Sequence, residues 1–159
     1  MSITVRPAQG TDAEGVVCLL CDIADLHHNG RPDIFRSGFS KYDIPEYLQL
    51  LEREDAYIFV ADGGNGEVLG YAIAFYNDFG GDKAKYPCRY LYLDDLCVSE
   101  KCRKGGIGKA LMDRVEEQAR ALGCEKIELN VWNFKGNALA FYEKCGYSAM
   151  YTKMDKIIK

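Results

Sequence analysis

Apolar side chains recur at helical spacing in two long segments of the chain. The first runs from Thr11 to His28 and opens with the pattern Thr11-x-x-Glu14, which is typical of a capping box. The second runs from Gly105 to Leu122 and is followed by a glycine that suits a helix end. Shorter patterns predict two more helices, one that starts at 43–46 and one over 136–144.

Between these helices lie runs of aliphatic, aromatic and β-branched residues that predict strands over 3–6, 56–61, 68–76, 89–98, 126–131 and 147–157. The turn Gly63-Gly64-Asn65-Gly66 predicts a hairpin between the second and third strands. The predicted order is β-α-α-β-β-β-α-β-α-β, an α/β (α+β) domain with a mixed sheet that covers 1–159. Segments 89–98, 105–122 and 126–131 form a βαβ unit, so their strands should be parallel.

Composition narrows the function classes. The chain has 159 residues, 48% hydrophobic and 28% charged, which is ordinary for one globular domain. Its net charge of -4 argues against nucleic acid or an anionic membrane as partner and is compatible with a cationic small molecule or a basic peptide. No apolar run is long enough to span a bilayer and no signal peptide is evident, so we expect a cytoplasmic protein.

The 7 cysteines are odd in number and irregular in spacing, which indicates free thiols in a reducing compartment. Cys18 and Cys21 have the spacing of a redox or metal-binding pair. They lie on a helical pattern with no second Cys or His pair at ligand spacing, so we predict buried packing residues and no metal site.

The segment Gly105-Gly106-Ile107-Gly108 lies between a predicted strand and the first turn of a helix. A helix N-terminus presents unpaired amides, and glycines let a phosphate approach them closely. Ala110 stands where a P-loop needs Ser or Thr, and Leu111 stands where the dinucleotide fingerprint needs its third glycine. The alternatives are therefore a different pyrophosphate site or a tight turn without a ligand.

The wider pattern points to a family. Arg103-x-x-Gly106-x-Gly108, which follows Asp-Asp-Leu-Cys-Val-Ser and precedes Lys-Ala-Leu-Met, resembles motif A of the GCN5-related N-acetyltransferase (GNAT) family. The stretches 129–133 and 137–147 resemble its motif B. The element order matches along nearly the whole chain. The resemblance implies the GNAT fold, with a fourth and fifth strand that splay apart, and transfer of an acetyl group from acetyl-CoA to an amine.

The resemblance also implies where the coenzyme lies. Pantetheine would bond to the backbone of the fourth strand, and the pyrophosphate would lie on the amides of the glycine loop. The family often has an asparagine at the position of Lys135, and either Asn133 or Asn137 can substitute for it. The expected coenzyme-binding residues are Leu96, Cys97, Val98, Arg103, Lys104, Gly105, Gly106, Ile107, Gly108, Lys109, Asn133 and Asn137.

Two adjacent carboxylates end the fourth strand. An alkyl amine with a pKa of about 10.4 must lose a proton before it attacks, and a nearby carboxylate can take it. Asp94 and Asp95 point to opposite faces of a regular strand, so they serve one pocket only if a bulge re-aims one of them. A similarity to the Tyr-Leu-Glu-Asp stretch of diamine acetyltransferases implies Asp94 as the catalytic residue that acts on the amine and Asp95 as the substrate anchor, or the reverse. Alternatively, one of them pairs with a nearby Lys or Arg.

Tyr142 matches the family's tyrosine that protonates the departing thiolate, and the alternative is a core residue beside Phe141. His28 ends the first helix, where the resemblance places the substrate wall. Phe35, Phe39 and Tyr42 either line the acceptor pocket or fill the core. Cys97 and Cys145 have no histidine at a relay spacing, which argues against a cysteine nucleophile.

The sequence leaves three functions open. The favoured one is acetylation of a primary amine on a small molecule, such as a polyamine, an aminoglycoside or an amino acid, by direct transfer in a ternary complex. The second is acetylation of a protein or peptide at its N-terminus or a lysine. The third is a coenzyme-binding regulatory module without turnover. Homodimers are common in the family, so a second copy of the chain is a further expected partner.

Overall fold

The computed structural model describes residues 3–64, 66–134, 136 and 138–158. Its strands are β1 (Thr4–Pro7), β2 (Ala56–Asp62), β3 (Val68–Phe79), β4 (Cys88–Val98) and β5 (Lys126–Leu129). Its helices are α1 (Ala13–Gly30), α2 (Ile44–Leu51), α3 (Ile107–Ala121) and α4 (Ala138–Lys144), with short 3-10 turns at Gly10–Asp12 and Glu100–Cys102.

The strands form a 5-stranded sheet in the order β1-β2-β3-β4-β5. Neighbouring strands are antiparallel except β4 and β5, which are parallel and joined through α3. The mixed sheet and the parallel pair predicted from the βαβ pattern are therefore confirmed.

Each face of the sheet is covered by helices. The buried cluster under α3 contains Phe59, Leu91, Leu93, Leu111 and Val115, among others. On the opposite face, α1 and α2 cover a second cluster that includes Val16, Leu20, Tyr47, Tyr71 and Cys97. Two apolar layers around one sheet are the expected arrangement for a chain with strands and amphipathic helices of this kind.

The helix starts follow the sequence in one case and depart from it in another. At α2, Asp43 accepts a hydrogen bond from the Glu46 amide at 2.8 Å and Glu46 accepts one from the Asp43 amide at 2.9 Å, which confirms that helix start. The capping box predicted from Thr11 is wrong. Arg6 of β1 holds the Asp12 carboxylate at 2.8 Å, and a 3-10 turn over Gly10–Asp12 precedes α1 instead.

The paired strands of the β3–β4 hairpin extend beyond the hydrophobic segments that predicted them. Residues 77–79 pair with 88–90, so the polar segment 77–88, predicted as a loop, begins and ends as strand. Polar side chains tolerate this position because the strand ends lie at the exposed rim, where only the backbone must be paired. The tighter β2–β3 hairpin closes as predicted through a bond from the Gly63 amide to the Glu67 carbonyl at 2.9 Å, while Asn65 lies outside the described residues.

The strand predicted over 147–157 is wrong, because no strand is formed there. The segment instead leaves large apolar side chains exposed, and Arg31 near the end of α1 pairs with Asp155 at 2.6 Å. The most exposed of these side chains are Met150, Tyr151, Met154, Ile157 and Ile158, at 67% to 87%. Strand propensity does not form a strand without a partner edge, and this ion pair ties the segment to α1 rather than to β5.

The prediction that Cys18 and Cys21 are buried is also wrong. Both are exposed, because the face of α1 that packs on the sheet is formed by Val16, Leu19 and Leu20. All seven cysteines are free thiols, as predicted. Among the helices in the described residues, none is both long and apolar enough to cross a membrane.

Candidate active site

The strands β4 and β5 are paired only along the first half of β4. Their pairing begins at Tyr90–Lys126 and ends at Leu93–Leu129, whereas β4 continues to Val98 in partnership with β3. Across the part of the chain that the structure describes, no strand pairs with residues 94–98 on the β5 side. The splayed pair predicted from the family resemblance is confirmed, and its opening presents backbone groups of β4.

A β-bulge lies at the point where the strands separate. Leu93 is opposite Ala74 and Asp95 is opposite Ile73, so Asp94 is an extra residue without a partner. Beyond it the alternation of side chains is inverted. Leu93 belongs to the α3 cluster and Cys97 to the α1–α2 cluster, although both have odd numbers. A bulge of this kind is the condition under which both carboxylates can serve one pocket.

The contacts of the two carboxylates confirm that they share the α1–α2 face. Asp95 is buried, with 9% of its surface exposed, and accepts a hydrogen bond from the Tyr71 hydroxyl at 3.2 Å. Burial raises the pKa of Asp95 to about 6, although the positive charge of Lys41 opposes this shift. Its proton affinity therefore lies close to the physiological range.

Asp94 has a different environment. Its Oδ2 atom accepts a hydrogen bond from the Lys41 ammonium at 2.6 Å, and the Tyr42 hydroxyl makes a longer contact with it at 3.5 Å. Burial and the Asp94 charge raise the pKa of Tyr42 to about 12, so this phenol stays protonated. The sequence alternative in which one acid pairs with a lysine is realised at Asp94.

Tyr142 lies on α4 and packs in the α3 cluster. Its ring contacts Phe141, with centroids 5.2 Å apart, and Tyr147, with centroids 6.0 Å apart. Burial, and after it the charge of Asp95, raises the pKa of Tyr142 well above its ordinary value. The side chain is thus a partly buried phenol that retains its proton and lies within the electrostatic range of Asp95.

The glycine loop has the backbone of an anion site. Gly106 caps α3 in the left-handed region with a φ of 80°, and Lys104 also has a positive φ of 70°. A Cβ atom on Gly106 would meet no atom within 4 Å. The helical ladder starts with the bond from Ala110 to the Gly106 carbonyl, and the amides of 104–109 have no acceptor among the described residues. Unpaired amides beside open space favour an anionic ligand.

The other residues of the loop have mixed roles. A Cβ atom on Gly108 would lie 3.1 Å from the Phe141 ring, so this glycine lets α3 approach α4. Ile107 is buried in the core. Arg103 donates to the Val98 carbonyl at 3.3 Å, and Lys109 pairs with Asp113 one helical turn away.

Four aromatic rings form a cluster at the end of α1. The Phe35 ring stacks on His27 at 4.9 Å and meets Trp132 edge-on at 5.0 Å, and Phe134 lies 5.7 Å from His27 and 5.8 Å from Trp132. Gly30 is needed beneath them, because its Cβ atom would lie 2.5 Å from the Phe134 ring. This aromatic cluster links the end of α1, the 31–42 loop and the segment after β5.

His28 contacts the backbone of Phe35, whose ring belongs to the aromatic cluster. Its Nδ1 donates to the Phe35 carbonyl at 2.7 Å, which holds the 31–42 loop against α1. Burial and the nearby Lys41 lower the pKa of the neighbouring His27, so that ring is neutral. Phe39 is 65% exposed, whereas Tyr42 packs against the α1–α2 cluster.

The remaining expected residues are more peripheral. Asn133 is exposed after β5, and Asn137 and Lys135 lie outside the described residues. Leu96 and Val98 are half-buried on the α3 side of β4. Within the described ranges, no three His, Cys, Asp or Glu side chains are grouped as metal ligands would be.

Sequence reasoning missed two members of the site, Lys41 and Tyr71. Lys41 follows no motif, and its contact with Asp94 spans 53 residues of chain. Tyr71 was assigned only to a strand, although its hydroxyl is the partner of Asp95. Trp132 carried a usable signal, because it stands inside the stretch that resembles motif B.

The chain is similar in sequence to a known protein family and to individual known proteins. The chain matches the model of the Acetyltransferase (GNAT) family over residues 24–147. It is 31% identical over 106 residues to an L-ornithine N5-acetyltransferase of Arabidopsis thaliana. The matched region covers 67% of this chain and 43% of that protein. It is 37% identical over 89 residues to an uncharacterized protein of Bacillus subtilis, which covers 56% of this chain and 48% of that protein. The matched regions thus span less than half of each relative.

The fold has a solved counterpart. The crystal structure of a mutant protein from Bacillus halodurans superposes with a TM-score of 0.93 at 25% identity and covers 98% of this chain and 99% of that one. The GNAT fold inferred from the sequence motifs is therefore confirmed. With its splayed β4 and β5, its glycine loop at the start of α3 and a family match over most of its length, the chain belongs to the Acetyltransferase (GNAT) family.

Proposed function

We propose that this protein is an acetyl-CoA-dependent N-acetyltransferase that acts on a primary amine of a small molecule by direct transfer in a ternary complex. The observation that carries the proposal is the bulge in β4. It turns Asp94 and Asp95 to one face, beside the strand opening and ahead of the glycine loop. Family membership supports acetyl transfer, and the carboxylates support an amine as acceptor.

The chain's own groups fit the coenzyme. The unpaired amides of 104–109 and the open space at Gly106 suit its pyrophosphate, and the exposed backbone edge at 96–98 suits an extended amide chain such as pantetheine. Arg103, together with Asn133 or Asn137, would complete the contacts. When bound, the coenzyme supplies the acetyl thioester and a thiol leaving group.

Asp95 is the better candidate for the group that takes the amine's proton. Its pKa of about 6 leaves it ionised at neutral pH and nearer the operating range than an ordinary carboxylate. Asp94 already has the Lys41 ammonium as its partner. We therefore assign Asp95 as base and Asp94 as substrate anchor, the reverse of the assignment that the resemblance favours.

Tyr142 would protonate the departing thiolate. Its raised pKa keeps the phenol protonated, as a proton donor requires. Burial also raises the pKa of the Cys97 thiol to about 12, so this cysteine remains a neutral thiol and a weak nucleophile. Both observations support direct transfer without an acyl-cysteine step.

The contacts of the 31–42 loop favour a small molecule over a peptide as the acceptor. The 31–42 loop is fastened over the carboxylates by the Lys41–Asp94 pair and by the bond from His28 to Phe35. A peptide would need an open groove there. The similarity to an ornithine acetyltransferase agrees with a small amine as acceptor.

The test is a panel of small amines and lysine-containing or free-N-terminal peptides, with coenzyme thiol release as the readout. We expect release that depends on a small amine and is absent when the acceptor is omitted. Release with peptides alone would favour the protein acetyltransferase. Coenzyme binding without release for any acceptor would favour the regulatory module.

We also propose that the protein forms a homodimer through the segment 147–158. This segment forms no strand among the described residues and exposes large apolar side chains, with Met154 and Ile158 at 87% and 85%. The variant Met154→Asp/Ile158→Asp should be monomeric by light scattering, whereas Lys156→Ser should leave the mass unchanged. A monomeric wild-type protein would contradict the proposal.

A further inference from the structure

The Lys41–Asp94 ion pair lies at the mouth of the candidate active site. The Lys41 side chain is 43% exposed and the Asp94 side chain 16% exposed, while Asp95 behind them is 9% exposed. Exposure therefore decreases in the order Lys41, Asp94, Asp95, from the surface to the buried carboxylate.

The charges of these groups nearly cancel. Lys41 neutralises Asp94, and the remaining charge is that of Asp95. The phenols of Tyr42 and Tyr71 and the ring of His27, which interact with these groups, are neutral. Arg53, the next cation along the chain, pairs with Asp55 at 2.6 Å. The site thus has a net charge near minus one and complements an acceptor with a net charge of plus one.

A site with a net charge near minus one favours acceptors with one net positive charge over acceptors with two. A diamine has two ammonium groups, and the second would lie beside the Lys41 ammonium. Two like charges 4 Å apart repel by about 1 kcal/mol in water and by about 4 kcal/mol near a protein surface. A diamino acid has two ammonium groups and one carboxylate, so its net charge matches the site.

We propose that Lys41 and Asp94 bind the zwitterionic head group of a diamino acid, with Lys41 on its carboxylate and Asp94 on its α-ammonium. Its side-chain amine then extends to Asp95, where it is acetylated. This inference rests on the proposed function and names its substrate class. On binding, the single Lys41–Asp94 ion pair opens and two ion pairs to the substrate replace it.

The neighbouring groups fit this role. The Tyr42 hydroxyl faces Asp94 Oδ2 at 3.5 Å and supports its orientation when Lys41 turns away. Lys41 has a long, flexible side chain on a loop rather than in a helix or strand, so it can reorient at low cost.

The test compares two acceptors that differ by one carboxylate, L-ornithine and 1,4-diaminobutane. We expect the wild type to have the higher kcat/KM for ornithine. Lys41→Met should lower kcat/KM for ornithine about ten-fold or more and raise it for 1,4-diaminobutane, so that the preference inverts. Lys41→Arg keeps the charge and should keep the preference. Lys83→Met removes an exposed lysine in the β3–β4 connection and should leave both values unchanged.

Two results would overturn the inference while leaving the proposed function intact. An equal fall for both acceptors in Lys41→Met would mean that Lys41 only fastens the loop. Acetylation of an unrelated amine, with neither ornithine nor 1,4-diaminobutane accepted, would mean that another acceptor class is bound. If no amine is acetylated at all, the proposed function and this inference both fail.

Discussion

At the scale of single residues, the site is built from groups whose proton affinity depends on burial. Asp95 is held at a raised pKa by desolvation, and the hydrogen bond from Tyr71 offsets only part of this effect. Asp12, on the other edge of the sheet, is equally hidden at 3% exposure but has a lowered pKa because Arg6 binds it. The two buried carboxylates should therefore respond to pH in opposite ways.

Asp95→Asn should stabilise the protein at neutral pH. The folded pKa of about 6 lies above the ordinary 3.8, so ionising Asp95 costs stability as pH rises from about 4 to about 6. About two pKa units correspond to about 3 kcal/mol. The difference in unfolding free energy between variant and wild type, measured with urea, should grow by that order between pH 4 and pH 7.

Asp12→Asn is the matched control for this measurement. Its lowered pKa means that the ionised form stabilises the fold above about pH 4, and this stabilisation is lost as pH falls through the folded pKa. The variant should be less stable than wild type at pH 7, and the difference should shrink towards pH 3. The same sign for both variants would show that Asp95 is not a desolvated acid.

Tyr142→Phe should separate catalysis from binding. The phenol would act on the leaving group only, so its loss should lower turnover by about ten-fold or more, since general acid–base catalysis commonly contributes that much or more. Coenzyme affinity, measured by calorimetry, should stay within about two-fold. Because Phe keeps the packing against Phe141 and Tyr147, a large loss of stability is not expected. Unchanged turnover would remove Tyr142 from the mechanism.

At the scale of elements, the site depends on three local irregularities along one path of the chain. They are the bulge at Asp94, the end of the β4–β5 pairing at Leu93, and the left-handed Gly106 that starts α3. Together they turn two acids to one face, leave a backbone edge of β4 without a partner on the β5 side in the described residues, and leave amides unpaired at the start of α3. A regular strand and a regular helix start would supply none of these.

Gly106→Ala tests the glycine loop. Its positive φ makes alanine strained by about 1 kcal/mol, and the new Cβ atom would point into open space. We expect this small loss of stability together with at least about a ten-fold weaker affinity for the coenzyme. Gly64→Ala is matched, because Gly64 also has a positive φ and open surroundings but lies in the β2–β3 turn. A similar change in coenzyme affinity in both variants would exclude the loop as its binding site.

The sequence predicted the elements whose signals are local. The helix start at 43–46, the glycine loop and the aromatic β4 strand each follow from neighbouring residues. The bulge was only a condition in the sequence argument, since Asp94 and Asp95 could serve one pocket only if a bulge re-aimed one of them. Lys41 and Tyr71 could not be found in this way, because their contacts with the acids depend on how distant segments pack.

At the scale of the whole molecule, the least predictable part is the chain after Gly146. Its pattern is that of a strand, yet a strand exists only where an edge receives it, and here the segment lies exposed beside α1. The rest of the fold was predictable because each amphipathic element has one compatible face of the sheet. The two core clusters, one on each face, fix the position of β4 and with it the site.

We expect one opening in the sheet both to bind the coenzyme and to be the place where its acetyl group is transferred to an amine. The most direct measurement supplies acetyl-CoA with an isotope-labelled acetyl group and quantifies free thiol and labelled N-acetyl product together. We predict one product molecule per thiol released, in wild type but not in Asp95→Asn, with coenzyme affinity retained in both. Thiol release without an acetylated amine, or tight coenzyme binding without either product, would contradict the account.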